Sequence, residues 1–363
     1  MTRRAMQSEY MYWAKNQPTV RYPLGSSEVP HFRLDRLPIA VADLELDGAS
    51  HYRYPPLRRA IADKEGVDPE QVVMANGTSM ANMLALAALV EPGDEVLVEQ
   101  PTYEPMLAAA RFCGAEVKRF ERRPEDGFGL DPAEVERRVG PRTRLILLAN
   151  LHNPSSAFAD EAALRRIGDL GVPVLVDEVY HDARPGARSA VHLGDAFVST
   201  SSLTKVHGLS GLRCGWILAE PRLAERIWRL NELFGVSQPH ADERLCCLAL
   251  AQLDEIAAGN AERLARNRAL VEAFFANRPE IECAPLGQGI TAFPRLVEGD
   301  VDALHRRLID EHETSIVPGR WFEARDRFRL GYGMATDILE GGLERLGAAL
   351  DEMAATGARQ ARG

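Results

Sequence analysis

Lysine is scarce in this chain of 363 residues: only Lys15, Lys64, Lys118 and Lys205 occur, and arginine carries almost all of the positive charge. Long apolar runs are missing as well. The longest, Met83–Val90, is far short of the ~20 residues that a membrane-spanning helix needs. Residues 1–22 lack the apolar segment of a signal peptide. The five cysteines (Cys113, Cys214, Cys246, Cys247 and Cys283) show no paired spacing. Cys246 and Cys247 are adjacent, which excludes a C-x-x-C zinc pair, so reduced and mostly buried thiols in a cytoplasmic protein are expected. No basic run occurs, the net charge is −10 and the pI is about 5.5, which argues against nucleic acid or anionic membranes as partners. No G-x-G-x-x-G follows the first strand, against a dinucleotide-binding dehydrogenase. What is present is ordinary: 45% hydrophobic and 26% charged residues, enough for one large or two medium domains with a full core.

Along the chain, apolar runs at 72–75, 95–98, 116–120, 145–149, 172–176, 196–200 and 215–219 each read as a strand. Helical patterns at 80–90, 103–113, 132–139 and 161–170 separate most of them. Alternating α and β elements with near-continuous apolar strands predict a mostly parallel seven-stranded sheet covered on both faces. Residues 222–278 read as mostly helical with a break near 235–239, the stretch 242–277 forming one long helix. Strand pieces at 292–293 and 328–330 and helices at 302–311 and 338–353 predict a smaller α/β C-terminal domain. The expected division is an N-terminal arm contributing to the small domain (1–40), a large domain (41–255) and a small domain (256–363). The tail from Ala354 is expected to fray.

Ligands of such sheets bind beyond the carboxyl ends of the strands, so the residues following each strand matter most. After the first strand come Gly77, Thr78 and Ser79 and then a helix, a pattern suited to an anion at a helix N-terminus or merely to a cap. Tyr103 follows the second strand and is placed either to stack on a flat group or to pack at a helix start. Asn153, held extended by Pro154, either points its amide across the strand ends or closes an Asx turn. Asp177 ends a buried run and needs a cation or hydrogen bonds, with Tyr180 three residues on. Ser202, Lys205 and Arg213 lie between two buried strands, where burial favours a neutral, nucleophilic lysine and an arginine suits a phosphate. An anion cradle, an aromatic plate, a ring-facing amide and phenol, a carboxylate and a desolvated lysine at one sheet edge together suit pyridoxal 5'-phosphate.

From about Leu24 to Gly333 the sequence resembles the class I/II aminotransferases among the fold-type I pyridoxal-phosphate (PLP) enzymes. The resemblance is carried by Asn153-Pro154, Asp177-Glu178-Val179-Tyr180 and Ser202-Leu203-Thr204-Lys205 with Arg213. It implies Lys205 as the Schiff-base lysine and proton carrier, and Asp177 as partner of the pyridine nitrogen. Asn153 and Tyr180 would sit on the ring 3-oxygen and Tyr103 against the ring face. Gly77, Thr78, Ser79, Ser202 and Arg213 would lie around the phosphate. The Phe328-Arg329-Leu330 segment resembles the family's C-terminal arginine motif, implying that Arg329 binds the substrate α-carboxylate. Two departures stand out. The usual Asn-Pro-Thr-Gly reads Asn153-Pro154-Ser155-Ser156, and the tyrosine segment that reaches the neighbouring subunit's phosphate is compressed to residues 52–58.

The expectation is therefore a cytoplasmic homodimeric enzyme that moves an amino group between an α-amino acid and a 2-oxo acid through Lys205. The alternative is elimination, replacement, decarboxylation or cyclisation with the same cofactor. A PLP-fold sensor module of a regulator is set aside, because the chain starts shortly before the resemblance does. The side-chain pocket is expected to draw on Tyr12, Trp13, residues 287–290 and the surroundings of Trp321.

Overall fold

A computed structural model describes residues 6–49 and 51–360. Helix α1 (Glu9–Lys15) and helix α2 (Pro55–Glu65) precede the large sheet. The alternating region then runs β1 (Val72–Asn76), α3 (Gly77–Leu89), β2 (Glu95–Gln100), α4 (Glu104–Phe112), β3 (Glu116–Glu121), α5 (Pro132–Arg138), β4 (Thr143–Ala149), α6 (Glu161–Gly168), β5 (Val174–Asp177), β6 (Phe197–Ser202) and β7 (Cys214–Leu218). All seven strands form one sheet in the order β1-β7-β6-β5-β4-β2-β3, as the apolar runs predicted. Only β7 runs against its neighbours β1 and β6. Six strands thus end on the same edge, and Arg213, which precedes β7, is delivered to that edge by the reversed direction.

The parity of β4 explains the double burial. Leu145 and Leu147 join a core with Val73, Leu84 and Trp216, whereas Ile146 and Leu148 join Leu97, Val176 and Phe197 on the other face. Successive side chains point to opposite faces, and both faces are dry.

Helices α7 (Pro221–Asn231), α8 (His240–Leu250), α9 (Leu253–Ala257) and α10 (Asn260–Ala276) follow. The expected single helix over 242–277 is therefore three. Gly259, at φ 75°, is the N-cap of α10 in the left-handed region, a conformation that interrupts a helix and suits glycine. Beyond it lie β8 (Ile281–Glu282), β9 (Thr291–Ala292), β10 (Arg295–Leu296), α11 (Val301–His312), β11 (Val317–Pro318), β12 (Phe328–Gly331) and α12 (Thr336–Gln360). Strands β11-β12-β9 form a small sheet, and Leu330, Leu304, Val271 and Leu346 share its core with Leu24. The tail is helical to Gln360; its last residues lie outside the described ones.

The segment after α1 threads between the two regions. Gly331 N donates to Leu24 O (2.7 Å), Val29 N to Lys205 O (2.9 Å) and Phe32 N to Gly208 O (3.1 Å). The backbone beside Lys205 is thus pinned to the arm.

Candidate active site

A cavity of about 400 Å³ opens at the carboxyl edge of the large sheet. Thr78, Ser79, Tyr103, Asn153, Asp177, Tyr180, Ser202, Lys205 and Arg213 all line it. These nine residues, distant in sequence, converge because each ends, follows or precedes a strand of one sheet.

At one end, helix α3 begins without a side-chain cap hydrogen bond, which leaves first-turn N–H groups beyond that of Gly77 available to an anion. Arg213 sits in the left-handed region (φ 50°) and accepts from Gly77 N (2.7 Å). Its Nη2 donates to Asn76 O (3.2 Å). Gly77 does not line the cavity; its place is beneath the guanidinium. A Cβ there would stand 2.3 Å from Arg213 Nη2, and a Cβ on Gly215 would stand 2.6 Å from Gly77 C. Thr78 Oγ1 donates to Ser202 Oγ (2.8 Å), and Thr204 Oγ1 is buried without a partner. A guanidinium, three hydroxyls and a free helix end fit a phosphate dianion.

In the middle, Asp177 is 6% exposed and receives Asn82 Nδ2 (2.7 Å) and Val179 N (3.0 Å). Burial raises its pKa, opposed by those hydrogen bonds and by Lys205. Asn82 is itself oriented by Thr200 Oγ1 (2.6 Å). A protonated heterocyclic nitrogen facing Asp177 would favour the carboxylate again. Burial also raises the Tyr180 phenol, with Arg329 opposing. Burial lowers the Lys205 pKa, partly offset by Glu28, whose Oε2 is 3.9 Å from Nζ.

At the other end, Arg329 stands just behind the wall, 1% exposed. It donates to Asn153 Oδ1 (3.2 Å), Tyr10 Oη (3.1 Å) and Gly25 O (3.2 Å), and its Nε is buried without a partner. The spare donor, with no carboxylate among its hydrogen-bond acceptors, suits an incoming carboxylate. Hydroxyls and a guanidinium at one end, a buried carboxylate and a half-buried amine in the same cavity, with an arginine just behind its wall, suit PLP and an amino acid together.

Sequence reasoning missed Asn82, Tyr10 and Glu28. Asn82 lies inside a helix, and Tyr10 and Glu28 in the arm, where no local signal distinguishes them. The expected side-chain pocket is corrected. Tyr12 is 73% exposed, Trp13 stacks against Trp321 and His305, and Gly287 and Gly289 face Ser156. The cavity wall is instead completed by Met11, Lys15, Ser27, Glu28, Pro105, Met106 and Ala109. Of the two tyrosines near residue 53, Tyr54 is buried and accepts from Arg244 (2.9 Å), whereas Tyr52 is exposed and donates to Glu232.

With this geometry in view, the comparison with known proteins is direct. The model of the aminotransferase class I and II family matches residues 23–346, so the chain belongs to that family: it is a PLP-dependent transferase with the corresponding α/β fold. Among its relatives, capreomycidine synthase of Streptomyces vinaceus is 35% identical over 84% of this chain and 80% of its own. The arginine–pyruvate transaminase of Pseudomonas aeruginosa is 30% identical over 85% and 84%. Among solved structures, the PLP-dependent cyclase OrfR superposes with a TM-score of 0.85 at 27% identity, over 97% of this chain and 99% of that one.

Proposed function

We propose that this enzyme transfers an amino group between an α-amino acid and a 2-oxo acid. The observation that carries the reading is the occurrence of Lys205 in the cavity with Arg329 behind Asn153, which on this reading are the proton carrier and the α-carboxylate receptor. PLP supplies an electron sink for the electron pair left at Cα when its proton departs. Arg329 would orient the substrate by its carboxylate, so that the Cα–H bond faces Lys205 Nζ. Lys205, its pKa lowered by burial, would take that proton and return it to the cofactor carbon on the far side of the amino nitrogen. Asp177, fixed by Asn82 and Val179, would keep the ring nitrogen protonated, and Tyr180 and Asn153 would hold the ring oxygen. Tyr103, whose hydroxyl rests on Met11 (3.3 Å), would cover one face of the ring.

The test is spectral. The holoenzyme's cofactor absorbance should change with an amino donor and return when a 2-oxo acid is added. Arginine and pyruvate are the first pair to try, given the relative named for them. A donor panel that never yields a 2-oxo acid rejects the reading. The two relatives named as capreomycidine synthase and as a cyclase favour a second reading, intramolecular cyclisation of an amino acid, for which a ring product that keeps its amino group would be diagnostic.

The enzyme is further proposed to be a cytoplasmic homodimer. Its five cysteines show no paired spacing, and among the described residues no helix is long and apolar enough to cross a membrane. The exposed Tyr52 is the candidate to reach the neighbouring subunit.

A further inference from the structure

The geometry points to Glu28 as the residue that selects a substrate with a cationic side chain, a guanidinium or a terminal ammonium. This rests on the reading above that an α-amino acid is held by Arg329. Arg213 belongs to the phosphate end, Asp177 to the ring nitrogen and Arg329 to the α-carboxylate. Lys15, exposed at the last turn of α1, is solvated at the mouth. Glu28 is what remains: a carboxylate lining the cavity, with 28% of its side chain exposed. Its ion-pair partners are Lys205 at 3.9 Å and His31 at 3.9 Å, the latter 68% exposed.

Lys205 is a poor permanent partner. Its amine joins the cofactor and must be uncharged when it removes a proton from Cα. At that stage Glu28 is left as a half-buried carboxylate facing the substrate, and such a group gains most from a cation of the substrate itself. Nor is its position accidental. The neighbouring Val29 N donates to the carbonyl of Lys205 (2.9 Å), and Phe32 N donates to Gly208 O (3.1 Å). Gly208, at φ 67°, would place a Cβ 2.2 Å from Pro30 O, so the two backbones are packed without slack. Glu28 is therefore held beside Lys205 by main-chain pairing. Pro105, Met106 and Ala109 in the lining of the same cavity offer apolar surface for the methylenes that separate Cα from a distal cation.

Two measurements on the holoenzyme decide this. The first is calorimetric binding of 5-guanidinopentanoate against hexanoate, neither of which has an amino group to react. The wild type should prefer the guanidino acid by about 10- to 100-fold, the range of a charge-assisted hydrogen bond, and Glu28→Gln should abolish the preference. No preference in the wild type overturns the proposal without reference to any variant. The second is the ratio of kcat/KM for arginine to that for norvaline, which should fall by a similar factor in Glu28→Gln. An equal loss for both donors would mean that Glu28 serves the chemistry at Cα, and would also overturn it. Failure of the parent reading looks different: neither donor would yield a 2-oxo acid in the wild type, whatever the calorimetry shows.

Discussion

Lys205 and Glu178 show two ways in which burial sets the behaviour of an ionisable side chain. Lys205 combines a lowered pKa with a place in the wall of the cavity. In Lys205→Ala the cradle of Arg213, Thr78 and Ser202 is intact, so PLP should still bind, but borohydride should no longer fix it to the protein. Covalent trapping that survives this change would remove the central assignment. Glu178 is buried beside Asp177 and accepts from Ala190 N (2.7 Å) and Ser189 Oγ (2.6 Å). Burial nonetheless pushes it up to about 8 from the ordinary 4.5. Its folded form therefore keeps a proton that the unfolded chain releases, and stability falls as pH rises from about 4.5 to about 8. The slope from one such proton is about 1.4 kcal/mol per pH unit. Glu178→Gln keeps an acceptor for Ala190 and has no proton to lose, and its amide can donate to Ser189 Oγ in place of the bond that Ser189 now donates. Thermal unfolding from pH 5 to pH 8 should accordingly decline less steeply in the variant; parallel curves would show that Glu178 is ionised in the fold.

At the scale of elements, the turn after β4 resolves the missing glycine. Ser156 occupies that position at φ 61°, a conformation costly for a residue with a Cβ. Its Oγ receives Thr291 N (3.1 Å) and lies 3.0 Å from Thr291 Oγ1. Space for it exists because the segment leading into β9 approaches through glycines: a Cβ on Gly289 would stand 2.2 Å from Ser156 Oγ, and one on Gly287 2.2 Å from Ser156 O. Gly289→Ala should therefore destabilise by about 1–3 kcal/mol, as overpacking does. Adding Ser156→Gly should recover part of this, a non-additivity that denaturant unfolding of the double-mutant cycle measures. Additive effects would mean that the two positions do not share the space. The same turn marks where the chain was legible. The seven strands could be read because each is apolar on both faces, and their order of loops placed Lys205, Asp177, Asn153 and Arg213 at one edge. Arg329 could be found only through resemblance, since its meaning depends on Tyr10, Gly25 and Asn153 reaching it from three distant segments. Asn82, Glu28 and the pairing of Ser156 with Gly289 were hidden for the same reason: each is defined by a contact across the fold. The helical break at Gly259 was missed because one glycine within an otherwise periodic stretch does not reveal its φ.

For the molecule as a whole, we propose that the boundary near residue 255 separates two cores joined by the arm. One is built on the seven-stranded sheet; the other holds Leu24, Val271 and Leu330. The surface of the first carries an unusual concentration of exposed apolar side chains. Val41 is 74% exposed, Leu46 65%, Leu233 81%, Phe234 51% and Val236 52%. They belong to neighbouring segments: Arg244 Nε of α8 donates to Asp43 O (2.9 Å), and Tyr52 donates to Glu232 at the end of α7. Clustered apolar exposure of this kind is typical of a surface covered by another chain. A second copy is the proposed cover, and Tyr52, on the same face, would then be presented to it. Sedimentation of the wild type should give twice the chain mass of 40.1 kDa, and the double change Leu233→Glu with Phe234→Glu should give monomers, because paired charges in a dry interface lack partners. If Tyr52 reaches the neighbour's phosphate end, Tyr52→Phe should weaken PLP binding by about tenfold, as loss of a hydrogen bond to a charged group does, while leaving the dimer mass unchanged. A monomeric wild type at micromolar concentration would discard both the interface and the role of Tyr52.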